Sequence, residues 1–229
     1  MVNIDTVYQR VLALANKEQR GYVTPQEFNL FANQAQVDIF EQYFYDLNQF
    51  GRIPGNDTEY ANMISVIKEK IQLFEKQGDL PFIASVDGYS LAPLAPHKLG
   101  SVGVLGKLAE EIDSKDIYYI LNSKITSPTK TRPGFVRKRD ILTMYPATII
   151  SPITVNYISK PINVSWGYVV INDQALYNAN TSVNFELHPS EEAELVIKIL
   201  SLAGIEMEDS ALYQVAEAED ARDIQQEKQ

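Results

Sequence analysis

The spacing of apolar positions changes character along this chain. From Ile4 they return at helical intervals: Ile4, Val7, Tyr8, Val11, Leu12 and Leu14 predict a first helix over about residues 4–18, closed by Gly21. A second start stands at Thr24-Pro-Gln-Glu, with Thr24 as cap, Pro25 at the first helical position and Glu27 able to reach back to the cap. In this second helix the single stripe dissolves. Phe28, Leu30, Phe31, Val37, Ile39, Phe40, Tyr43, Phe44, Tyr45, Leu47 and Phe50 surround much of its circumference, among Asn33, Gln34, Gln36, Gln42 and Asn48. A helix buried on one side of a domain needs an apolar face only about 100° wide. One that is apolar almost all round asks for neighbours on two sides, from its own domain or from a second copy. Phe28, Phe31, Phe40, Tyr43 and Phe44 are therefore candidate subunit-interface residues.

Residues 51–57 form a Gly- and Pro-containing turn cluster. Asp57 or Thr58 then caps a third helix carrying Met63, Ile64, Ile67, Ile71 and Phe74, which Gly78 stops. Beyond Asp79 the pattern shortens. Eight of the eleven prolines fall between residues 79 and 185, so no long helix fits there. The β-rich runs between them cover 82–85, 101–108, 117–121, 135–144, 148–157 and 166–171, the pattern of a small antiparallel sandwich or barrel-like sheet. The runs from Thr154 and from Trp166 are expected to pair across the Lys160-Pro161 turn. His188-Pro-Ser-Glu-Glu opens another helix, bearing Leu195, Val196, Ile199, Leu200 and Leu202 up to Gly204. Asp209 or Ser210 starts a weaker, acidic one that frays toward Gln229. The expected fold is α+β: a helical bundle built from both chain ends (1–78 and 186–229), with an antiparallel β domain inserted at 79–185.

The 229 residues are 45% hydrophobic and 10% aromatic, enough for a core and against wholesale disorder. The absence of cysteine excludes disulfides, thiolate metal sites and cysteine nucleophiles. No apolar run approaches the length of a membrane span, and Met1-Val-Asn-Ile-Asp lacks the features of a secretory signal. Asn-x-Ser/Thr triplets at Asn56, Asn163 and Asn180 are then chance matches. The net charge of −10 is uneven: residues 186–229 hold twelve acidic and three basic residues, leaving the first 185 close to neutral. Such acidity argues against wrapping nucleic acid from outside, because neutralised phosphates supply most of that affinity. It leaves open a passage through which DNA slides.

Candidate chemistry is sparse. His97 lies in a proline loop and His188 at a helix start, where capping is the simpler role. No His-x-x-His spacing and no Gly-x-Ser-x-Gly elbow occur. Gly100-Ser-Val-Gly-Val-Leu-Gly lacks the dinucleotide pattern and a following Gly-Lys-Ser/Thr, and reads as a turn or bulge with close backbone packing. The pairs Glu110-Glu111 and Glu191-Glu192, and Glu206 with Glu208 and Asp209, suit helix dipoles better than glycoside hydrolysis. No catalytic, cofactor-binding or metal-binding residues are expected. One cluster breaks the acidic background: Lys130, Arg132, Arg137, Lys138 and Arg139, around Pro133-Gly134-Phe135. It is a candidate hairpin tip for a neighbouring subunit, an acidic partner or DNA phosphates.

Several segments together carry a resemblance. Glu18-Gln-Arg-Gly-Tyr-Val-Thr-Pro running on to Asp46-Leu-Asn, Val155-Asn-Tyr-Ile-Ser-Lys-Pro with Trp166-Gly-Tyr-Val-Val, and Phe185-Glu-Leu-His-Pro-Ser-Glu-Glu up to Leu202-Ala-Gly-Ile resemble structural proteins of tailed bacteriophages, notably the crAss-like group. The likeness spans about residues 5–215. It implies an adaptor-like fold and a head-to-tail connector: a ring of roughly twelve copies between portal and tail, with genomic DNA passing through without sequence-specific recognition. The implied partners are sister copies, the portal and other ring or tail proteins, with no membrane, no cofactor and no enzymatic activity. The implied location is the virion neck or tail, and the host cytoplasm during assembly. Adaptors of this kind often dock through a terminal arm, which makes Asp209, Leu212, Tyr213 and Val215 candidate portal contacts. Two alternatives stand beside this reading. One is another neck or tail component, such as a tail-tube or head-closure subunit. The other is a peptide- or glycan-binding module using Tyr118, Tyr119, Tyr145, Tyr157 and Trp166.

Overall fold

Thr24 and Glu27 form the expected capping box. The Thr24 hydroxyl oxygen accepts from the Glu27 N–H at 3.3 Å, and Glu27 Oε2 accepts from the Thr24 N–H at 2.8 Å and from its hydroxyl at 2.6 Å. These bonds hold the Glu27 carboxyl below the usual carboxylate range. From this cap α2 runs over Pro25–Phe50. The computed structural model describes residues 1–17, 23–50, 63–172 and 174–206. The expected stop at Gly21, the cap at Asp57 or Thr58 and the acidic arm with Asp209, Leu212, Tyr213 and Val215 lie outside the described residues.

The chain divides into two units: residues 1–73 with 161–229, and residues 74–160. The expected boundaries at 79 and 185 shift at both ends, for identifiable reasons. Gly78 does not stop a helix. α3 spans Met63–Gln72, and Gly78 lies inside β1 (Glu75–Leu80), opposite Val155. Residues 161–185 join the helices because α2 side chains bind their backbone, as described below.

In the helical unit, α1 (Ile4–Lys17), α2 and α3 are joined by α5 (Glu192–Glu206). Their shared interior includes Ile4, Val7, Val11, Phe28, Ala32, Ile39, Leu187, Leu195 and Ile199, all at most 1% exposed. Tyr8 is buried with them, and its hydroxyl donates to Val23 O at 3.0 Å. His188 caps the 3₁₀ turn Pro189–Glu191 that leads into α5, its Nδ1 accepting from the Ser190 N–H at 3.2 Å. α5 continues through Gly204 to Glu206.

The other unit is a seven-stranded sheet of order β1-β7-β3-β4-β5-β6-β2. Its strands are β1, β2 (Tyr89–Ser90), β3 (Lys98–Val104), β4 (Lys107–Glu111), β5 (Gly134–Lys138), β6 (Ile141–Tyr145) and β7 (Ile153–Ile158). Leu80 from one edge and Tyr89 from the other share one core with Val102, Phe135, Leu142 and Ile153, so the sheet curls around a common interior. The expected all-antiparallel arrangement needs one correction, since β4 and β5 are parallel. The long 112–133 connection between them makes this possible, because parallel neighbours need a crossover. It contains α4 (Ile117–Asn122), a helix where a strand over 117–121 was expected. Ile117 and Ile120, three residues apart, pack with Ile112 and Val136, while Tyr118 and Tyr119 face water. The run 82–85 is not a strand: Ile83 bridges to Gly88 across a turn over residues 84–87. The Gly100 segment is the expected bulge: the register of β3 on β7 shifts between Leu99 and Val102, and a Cβ at Gly100 would lie 2.8 Å from Asn156 O.

β7 does not pair with the run from Trp166. Both of its edges are occupied, by β1 and β3. The run instead forms β8 (Tyr168–Ile171), hairpinned to β9 (Gln174–Tyr177) in the helical unit.

Candidate assembly surfaces

The amides scattered through α2 have a structural purpose that the sequence pattern hides. Asn29, Asn33 and Gln36 fall at i, i+4 and i+7, one above another on one face of the helix. Against them runs the extended segment 162–166. Asn33 Oδ1 accepts from the Val164 N–H at 2.8 Å and Asn33 Nδ2 donates to Val164 O at 2.9 Å. One turn earlier, Asn29 Oδ1 accepts from the Trp166 N–H at 2.7 Å and Asn29 Nδ2 reaches Trp166 O at 3.4 Å. One turn later, Gln36 Nε2 donates to Ile162 O at 2.8 Å and Gln36 Oε1 accepts from the Glu186 N–H at 3.1 Å. Alternate residues of an extended chain point their N–H and C=O the same way. Three carboxamides at helical spacing thus stand in for a neighbouring strand. On the opposite side, Ser165 exchanges backbone hydrogen bonds with Val183.

This ladder fixes Trp166. Its indole N–H donates to Asp5 Oδ1 at 2.9 Å, and its ring packs 4.4 Å from Tyr8, which in turn lies 4.6 Å from Phe28. Tyr168 and Tyr177, paired across the first rung of the hairpin, both lean on Trp166 at 5.8 Å. Beyond this aromatic base support ends. Val169, Val170, Ile171 and Leu176 are exposed, Val170 at 60%. Cross-strand partners share a face and neighbours alternate, so Val169, Ile171 and Leu176 lie on one side and Val170 on the other. The hairpin is therefore apolar on both faces, and among the described residues no third strand hydrogen-bonds to either of its edges. A two-stranded hairpin in water is marginal at best, and an unpaired edge is a template for another chain.

The five candidate interface residues on α2 divide between its buried face and its margins. Phe28, Phe40 and Tyr43 are buried in the unit's own core, while Phe31 and Phe44 are half-buried at its margins. The exposed apolar residues of this helix are instead Leu30 (71%), Val37 and Tyr45 (67%). Beside Tyr43, Lys70 Nζ lies 2.7 Å from Glu191 Oε1 and 5.7 Å from the Tyr43 ring centroid. Burial pushes the Glu191 carboxyl upward, but the hydrogen bond and charge of Lys70, with the Ser190 hydroxyl, outweigh it and leave the group below the usual range. Tyr43 is pushed strongly up by burial and then by the charges of Glu191 and Glu194.

The basic cluster is divided by the strand it flanks. Lys130 and Arg132 lie in a turn closed by mutual hydrogen bonds between the Thr129 and Arg132 backbones, and Arg132 pairs with Glu110 at 3.0 Å. Arg137, Lys138 and Arg139 sit about 16 Å farther along β5 at 3.3 Å per residue. There they form the exposed β5–β6 tip, with Arg139 in the left-handed region at φ 55°. The expected cationic hairpin tip is thus present with three of the five residues.

The five aromatics of the peptide- or glycan-binding alternative do not make one platform. Trp166 is buried in the helical unit, Tyr145 and Tyr157 are half-buried in the β unit, and only Tyr118 and Tyr119 stand exposed. Among the described residues no three His, Asp or Glu side chains converge as a metal site requires, and no helix is long and apolar enough to cross a membrane. No protein-family model matches the chain, and no curated protein matches it.

Proposed function

We propose that this chain is a structural subunit of a homo-oligomeric ring in the head-to-tail connector of a tailed bacteriophage, set between portal and tail around the DNA passage. The observation that carries the reading is the β8–β9 hairpin, apolar on both faces, unpaired at both edges among the described residues and rooted on the Trp166 aromatic cluster. Solitary exposed apolar residues need no explanation, but a contiguous set on an unpaired hairpin marks an interaction surface. A strand pairing with a neighbour satisfies the edge and covers the valines in one contact. In a ring each subunit meets a neighbour on two sides through different surfaces, which also suits a helix with exposed apolar residues opposite its buried face. The resemblance described from the sequence supplies the phage setting, and the adaptor-like fold belongs to the same proposal.

The test is direct. Purified full-length protein, alone and mixed with cognate portal particles, is examined by negative-stain microscopy and co-sedimentation. Closed rings that travel with the portal are the expected result. A chain that stays monomeric in both conditions and does not sediment with the portal overturns the reading.

A further inference from the structure

Charge is segregated between the two units. Residues 74–160 hold eleven basic and eight acidic residues, a net of +3; with a total of −10, the helical unit carries −13. Within the helical unit one surface joins this charge to exposed apolar area. Leu30, Gln34, Val37, Asp38, Glu41 and Tyr45 lie within about 100° of arc on α2 at 3.6 residues per turn, and all six are exposed. The stripe has two carboxylates and no base. Asp38 accepts from Gln34 Nε2 at 2.7 Å, and neither acid has an ion-pair partner among the described residues. The β5–β6 tip offers the complement: three consecutive cations, of which only Arg139 has an acid nearby among the described residues, Asp140 at 3.7 Å.

We infer that the outer face of α2 in one copy receives the β5–β6 tip of the next copy, Arg137, Lys138 and Arg139 meeting Asp38 and Glu41. This inference rests on the ring reading and names one of its contacts. The chemistry favours a second copy over nucleic acid on α2, since Asp38 and Glu41 repel phosphate. Tyr45, one turn beyond Glu41, presents a ring on which a guanidinium stacks. Leu30 and Val37 continue the surface and exclude water from it. The two surfaces are different patches, so the contact is heterologous and repeats from copy to copy, as a closed ring requires.

The test uses full-length protein in sedimentation velocity, with and without portal particles. Asp38→Lys with Glu41→Lys, and separately Arg137→Glu with Lys138→Glu and Arg139→Glu, should each weaken self-association by roughly tenfold or more. An equimolar mixture of the two variants should restore it, because each then supplies the charge the other lacks. The absence of native cysteine allows a second readout. Glu41→Cys and Lys138→Cys copies, mixed and oxidised, should crosslink to each other well above a pairing of Glu41→Cys with Lys107→Cys, a control at the other end of the strand series. If both charge variants form rings as wild type does, the α2 contact is wrong, the face belongs to another partner, and the ring reading survives. If the tip variant assembles normally but loses binding to duplex DNA, the tip serves phosphate and the inference falls. A wild type that never forms rings, with or without portal, removes the contact and the ring together.

Discussion

Asn33 grips Val164 by both backbone groups, accepting from its N–H at 2.8 Å and donating to its carbonyl at 2.9 Å, across 131 positions of sequence. A side chain thereby does what a strand edge usually does. Replacing it with Leu keeps the volume but leaves a donor and an acceptor near the buried Val164 unpaired. The expected cost is about 3 kcal/mol, from roughly 1–3 kcal/mol for each orphaned group. Urea unfolding followed by the emission of Trp166, the sole tryptophan, measures it. Asn33→Asp separates the two bonds. Its carboxylate accepts from the N–H but faces the carbonyl without a proton to give, so its folded pKa is raised. Stability relative to wild type should then be higher at pH 4.5 than at pH 7, falling as the group ionises.

Lys70 and Glu191 form a second buried link, tying α3 to the turn before α5. Lys70→Met strands the Glu191 carboxylate, which is 3% exposed, and should cost about 3 kcal/mol. The pH dependence should invert. In wild type the folded pKa of Glu191 is depressed, so its contribution is fully present above the ordinary glutamate range and is lost as pH falls through the folded value. Without Lys70, burial is opposed only by the hydrogen bonds of Ser190 and Glu194, so that pKa should rise and the variant should gain stability relative to wild type on acidification from pH 7 to 5. Parallel denaturant titrations at the two pH values decide this.

The β8–β9 hairpin should separate assembly from stability. Val169→Lys with Ile171→Lys places charge on one of its two exposed faces. Monomer unfolding should change by no more than about 0.5 kcal/mol, as for ordinary surface substitutions, while ring formation seen by microscopy is lost. Unchanged rings would take the hairpin out of the interface.

Gly167 joins the aromatic base to the hairpin, and its carbonyl accepts from the Asn178 N–H at 2.8 Å. A Cβ there would collide with Thr181 Oγ1 and lie 2.7 Å from the Thr181 carbonyl carbon. Gly167→Ala should destabilise the helical unit by about 2 kcal/mol, in the range of overpacking. Adding Thr181→Gly should relieve only part of it, because the backbone atom remains. Thermal melts of the single and double variants test this.

Local chemistry made parts of the molecule readable in advance. The capping box at Thr24 and Glu27, the His188 cap, the Gly100 bulge and the cationic β5–β6 tip each depend on residues within a few positions of one another. Helix periods predicted α1, α2 and α5 for the same reason. Short apolar runs were less decisive: Ile117-Tyr-Tyr-Ile-Leu fits a strand by propensity and became α4, because Ile117 and Ile120 find Ile112 and Val136 on one side of a helical turn.

From the sequence alone came a two-part α+β chain, acidic at its end, with a second helix whose amides and aromatics exceed what one apolar stripe requires. Only the tertiary structure decided which of those groups face inward. Phe28, Phe40 and Tyr43 fill the core, and Asn29, Asn33 and Gln36 hold a segment more than a hundred residues away. Leu30, Val37 and Tyr45 are left to solvent. Periodicity reports that a helix has two demanding faces. Which face the rest of the chain covers depends on contacts between distant segments, and those are set by packing and by the requirement that every buried backbone group finds a partner.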